Sequence, residues 1–78
     1  MSIVFDTEYD CHKFLSEGRF QPHSKEDEIT TCETLVGMKG STIEDLTSSY
    51  SACDKILRSN GVSDTTIQII CNLLNPPE

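Results

Sequence analysis

Apolar residues recur along this chain at steps of three and four, the period of one face of an α-helix. The cysteines mark the pattern. Cys11 is followed by Phe14 and Leu15, Cys32 by Leu35 and Val36, and Cys53 by Ile56 and Leu57. Cys71 is followed by Leu73 and Leu74, one position earlier. Successive cysteines stand 21, 21 and 18 residues apart, so the chain reads as four similar helical units. The clearest stripe is Ile43, Leu46, Tyr50, Cys53 and Leu57, at steps of three, four, three and four.

Punctuation residues bound these units and predict helices near residues 7–17, 24–37, 42–59 and 63–75. Thr7 with Asp10, Ser24 with Asp27, and Ser41 or Thr42 with Glu44 or Asp45 have the form of N-terminal capping pairs. Ser63 opens the last unit and Pro76 stops it. Gly18, the glycines at 37 and 40, and Asn60-Gly61 suit helix ends, with Val62 packing back after Gly61. Pro22 breaks the loop between the first two units. Before Thr7, Val4 or Phe5 suits a hydrophobic staple; a short β arm is the alternative, and it needs a pairing partner.

The expected architecture is all-α: one compact four-helix domain over residues 1–78, as a monomer or a dimer. The fourth unit is unusual. Six of the eight residues at 67–74 are apolar, too much of the circumference for a surface helix. It is therefore either a central core helix or an interface. Ile67, Ile69, Ile70, Leu73 and Leu74 are the candidate interaction residues, with a partner protein or a second copy of the chain as occupant.

Length and charge narrow the function. A chain of 78 residues is too short for a Rossmann or TIM-barrel cofactor fold. Thirteen acidic against six basic residues give a net charge of −7, the wrong sign for gripping phosphates or an anionic membrane. Most acids fall at predicted helix starts, where the helix dipole favours them: Glu8 and Asp10; Glu26, Asp27 and Glu28; Glu44 and Asp45; and Asp64. Glu26, Asp27, Glu28, Glu44 and Asp45 form the candidate acidic surface. A DNA mimic built from such acids is an alternative function.

The cysteines are expected to be small core hydrophobes on the buried stripes, with a disulfide or a metal as alternatives. The chain has no CxxC. Its first residues, MSIVFDTEYD, have no basic segment, apolar core or cleavage site, which predicts no signal peptide and a cytoplasmic address. The longest apolar stretch is too short to span a bilayer.

Residues 56–72, ILRSNGVSDTTIQIICN, resemble the bihelical unit of helix-turn-helix repressors. Gly61-Val62-Ser63 followed by Thr66-Ile67 matches the pattern G-V-S-x-x-T-[IV]. The resemblance implies a left-handed turn glycine and a second helix that enters the major groove. The chain departs from the family in two places. Its second helix has no Lys or Arg, and Leu57 stands where the family usually has a small residue. Direct nucleic-acid binding is therefore not expected.

Catalysis is not expected either. There is no GxGxxG, P-loop, HExxH or EF-hand loop, and the two histidines are His12 and His23. Cys11 and His12 are adjacent on a helix, so they point apart. The sequence thus predicts a non-catalytic, cofactor-free acidic helical protein that acts on a protein partner as regulator, adaptor, chaperone or inhibitor, including the inhibitors of phages and mobile elements. A helix-turn-helix-related regulator is the alternative.

Overall fold

Side-chain oxygens start every helix of this protein. The computed structural model describes residues 2–17, 20 and 23–77. Among these are five α-helices: α1 (Glu8–Leu15), α2 (Lys25–Leu35), α3 (Ile43–Thr47), α4 (Tyr50–Ser59) and α5 (Asp64–Leu74). Thr7, Ser24, Thr42, Ser49 and Ser63 each sit in extended backbone and accept a hydrogen bond from an N–H three residues on. At Thr42 the box is reciprocal: Asp45 Oδ2 accepts from the Thr42 N–H at 3.0 Å.

The all-α expectation is met, with five helices where the sequence predicts four. The helix expected over residues 42–59 breaks at Ser48 and Ser49. The run Thr47-Ser48-Ser49 supplies three hydroxyls that compete with the main chain. Thr47 Oγ1 donates to the Ile43 carbonyl and Ser48 Oγ to the Asp45 carbonyl, each at 2.9 Å. Ser49 turns to extended backbone and caps α4, accepting from the Ala52 N–H at 3.1 Å. The break rotates the stripe, so Leu46, Cys53 and Leu57 are fully buried while Tyr50 faces outward. The second helix also stops at Leu35, two residues short, because Val36 is extended and Gly37 has φ +82°. The first ends at Leu15; the predicted end glycine, Gly18, lies outside the described residues.

The α4–α5 turn is a Schellman motif. The Gly61 N–H donates to the Arg58 carbonyl and the Val62 N–H to the Leu57 carbonyl, both at 3.1 Å. Gly61 has φ +78°, which a side chain would oppose.

The N-terminal arm finds its partner in the loop after α2. The Val4 N–H donates to the Met38 carbonyl, the Gly37 N–H to the Phe5 carbonyl, and the Gly40 N–H to the Ser2 carbonyl, each at 3.0 Å. This pairing buries Val4 and Phe5. Phe5 then meets Phe14 in a tilted ring pair, at 5.6 Å between ring centroids.

Helix α5 is the centre of the core. It packs on α2, α3 and α4, whereas α1 packs on α2 alone among the helices. Ile67, Ile70, Cys71, Leu73 and Leu74 are all buried. The chain closes to a radius of gyration of 11.2 Å, near the about 11.5 Å expected of a folded chain this long.

The cysteines correct the expectation of free core thiols. Cys11 is bonded to Cys32 and Cys53 to Cys71, each pair with Cα atoms 5.7 Å apart. All four are fully buried, as the stripes predict. The same helical faces that bury them also bring them together, α1 to α2 and α4 to α5. No metal-holding group of three or more His, Cys, Asp or Glu side chains occurs among the described residues.

Candidate functional site

Capping of α2 by Ser24 sets Glu28 one turn into the helix, facing α1 and the preceding loop. Its carboxylate is held by two imidazoles. His12 Nδ1 of α1 lies 2.5 Å from Glu28 Oε2, and His23 Nε2 lies 3.0 Å from Glu28 Oε1. An ionised carboxylate can only accept, so each imidazole donates from the nitrogen that faces it. These hydrogen bonds, His23 first and then His12, hold the Glu28 carboxyl below its ordinary pKa; partial burial opposes them. The arrangement joins three segments through one negative charge. The neighbouring Ser16 hydroxyl is turned to the Lys13 carbonyl at 2.8 Å, rather than toward an imidazole.

Surface depressions flank the clamp. One, of about 350 Å³, lies on α1 and is lined by Tyr9, His12, Lys13, Ser16 and Glu28. The other, of about 310 Å³, lies between the start of α2 and α5, lined by His23, Asp27, Thr65, Gln68, Ile69, Asn72 and Leu73.

The candidate interaction residues of the last helix fall mainly inside the molecule. Of the two roles expected for this helix, core or interface, the burial of Ile67, Ile70, Leu73 and Leu74, each 4% exposed or less, is that of a core helix. Helices α2, α3 and α4 supply the cover, the break after Thr47 leaving α3 and α4 each packed on α5. Ile69 alone stays half-buried, in the α2–α5 cleft.

The acidic candidates take separate roles. Glu26 and Glu44 are exposed, Asp45 closes the Thr42 capping box, Glu28 forms the clamp, and Asp27 lines the cleft. Helices α2 and α3, which carry them, are not packed together.

The α4–α5 pair has the left-handed turn glycine that the helix-turn-helix resemblance implies. Its exposed α5 positions are Asp64, Thr65, Gln68 and Asn72. The nearby cation, Arg58, is engaged by Asp54 at 3.0 Å and Asp64 at 2.5 Å, which raises its pKa further.

From the sequence a disulfide is only one alternative for the cysteines, and the clamp is not legible at all. The intervals between cysteines were the available signal for the disulfides. Nothing local marks the clamp, whose members lie 16 and 5 residues apart. No known protein family, curated protein or solved structure matches this chain. No helix of the described residues is long and apolar enough to cross a membrane.

Proposed function

We propose that this protein is a small disulfide-stapled recognition domain that acts by binding a protein partner, without catalysis or a cofactor of its own. The observation that carries the reading is an open cleft between two disulfide-tied helix pairs. Two fully buried disulfides tie α1 to α2 and α4 to α5, and the cleft lies between α2 and α5. Chains of this size often need such staples, since a small core alone is marginal. The staples also favour an oxidising compartment over the cytoplasmic address expected from the first residues.

The other readings have less support. Burial of the α5 isoleucines and leucines removes the apolar surplus that motivated a homodimer. A DNA-binding α5 would lack cations, because Arg58 is already engaged. A DNA mimic would have to use carboxylates of which Glu28 and Asp45 are already bonded internally.

The test is site-specific photocrosslinking of the oxidised protein, with the crosslinker at Gln68 in the cleft or at Lys55 on exposed α4. A single protein captured at Gln68, competed by excess unlabelled oxidised protein and lost on reduction, is the expected result. Size-exclusion chromatography with light scattering should give a monomer. Equal, non-competable capture at both positions would defeat the reading.

A further inference from the structure

We propose that the α2–α5 cleft receives an arginine side chain of the partner protein, with Asp27 as its counter-charge. This rests on the recognition-domain reading and names the partner's chemistry. Asp27 lines the cleft and is half-buried, yet its carboxylate takes no hydrogen bond or ion pair among the described residues. Five other acids are engaged, Asp10 with Thr7, Glu28 with two histidines, Asp45 with Thr42, and Asp54 and Asp64 with Arg58, while acids such as Glu26, Glu33 and Glu44 are exposed. A first-turn position on α2 stabilises Asp27 through the helix dipole, and Glu26 shares that benefit while exposed. What distinguishes Asp27 is a half-buried charge at a cleft lined by no described lysine or arginine.

The rest of the cleft fits the stem of such a side chain. Ile69 and Leu73 give it an apolar floor, while Thr65 and Gln68 supply hydroxyl and amide groups. Arginine and lysine bury their methylenes on apolar surface and keep the charged head at the polar rim. A guanidinium can meet a carboxylate with two parallel hydrogen bonds. The volume of about 310 Å³ admits a side chain of this length with part of its neighbour. The net charge of −7 draws cationic segments to the protein at low salt.

The test is an amide NMR titration of the oxidised protein with the tripeptide acetyl-Gly-Arg-Gly-amide. The matching glutamate tripeptide and spermidine are run in parallel. The expected result is saturable shifts confined to residues around Asp27, Thr65, Gln68 and Ile69, with the arginine peptide only. Asp27→Asn should weaken binding about two- to fivefold, the scale of a partly exposed ion pair. Glu26→Gln, one position away and outside the cleft, should leave it unchanged. Both variants must keep the wild-type amide spectrum elsewhere. Shifts spread over all acidic residues, equal weakening by both variants, or an equal response to spermidine would overturn the proposal. The peptide reads the cleft alone, whereas crosslinking reads any partner-binding face. A partner captured without peptide binding would therefore defeat this proposal and leave the broader reading standing.

Discussion

The side-chain amide of Asn75 donates a hydrogen bond to the Leu46 carbonyl at 2.9 Å, across 29 residues of chain. This bond sits where the helix breaks. The chain turns away after Thr47, and Asn75, at the end of α5, supplies a donor to a carbonyl of the interrupted helix. The break is thus held by a residue distant in sequence and adjacent in space. Asn75→Ala should cost about 1–2 kcal/mol, since Leu46 is buried and its carbonyl would lose a donor. Asn75→Asp should cost at least as much, because a carboxylate cannot donate. Urea denaturation of the oxidised variants measures both. An unchanged midpoint for Asn75→Ala would mean that water takes the place of the amide.

That bond explains why the sequence misleads at this point. The spacing of Leu46, Tyr50, Cys53 and Leu57 suits one continuous helix, and the hydroxyls of Thr47, Ser48 and Ser49 are compatible with it. The hydroxyls of that run permit the break, and the bond from Asn75 favours it. Elsewhere local chemistry sufficed: Thr7, Ser24, Thr42 and Ser63 cap as expected, and Gly61 turns as expected. Cysteine burial was legible from the stripes, while cysteine pairing was not. A stripe says that a side chain faces the core and does not say which other stripe it meets there. The candidate site was less legible still. Asp27 was visible as an acid at a helix start, but the cleft beside it needs α5 to pack on α2. The Glu28 clamp needs α1, α2 and a loop to converge.

The disulfides should contribute equally to global stability and differently to local order. They close loops of 21 and 18 residues, so the chain-entropy model gives each about 3 kcal/mol. Mass spectrometry of unreduced protein should find all four cysteines paired. Because α1 packs on α2 alone among the helices, Cys11→Ala with Cys32→Ala should loosen α1 and spare α5. Cys53→Ala with Cys71→Ala should instead loosen the central helix. Hydrogen exchange separates the two outcomes. Loss of protection over residues 64–74 in the first double variant would contradict the peripheral role of α1.

Gly61 offers a cleaner backbone experiment. A Cβ added there meets nothing within 4 Å, so crowding does not enter. The cost of Gly61→Ala is then that of a left-handed residue, about 1–2 kcal/mol. Gly61→Asn should cost less, because asparagine tolerates this conformation. Gly61→Val should cost most, and thermal melts of the oxidised series should follow that order. Equal melting of the alanine and glycine proteins would show that the turn can relax to negative φ without loss.

Glu28 makes stability depend on pH in a known direction. Hydrogen bonds from His23 and His12 lower its folded pKa below the ordinary glutamate value. A group whose folded pKa is depressed stabilises the native state above its unfolded pKa, about 4.3, and loses that contribution as pH falls through the folded value. Wild type should therefore exceed Glu28→Gln in stability at neutral pH, and the difference should shrink below about pH 4.3. The side-chain carboxyl carbon of Glu28, followed by NMR, should titrate at a lower pH than a free glutamate. His23→Ala should move that midpoint upward more than His12→Ala does, because the His23 hydrogen bond is the larger cause. A wild-type midpoint at the free-glutamate value would show that the two imidazoles do not hold the carboxylate in solution.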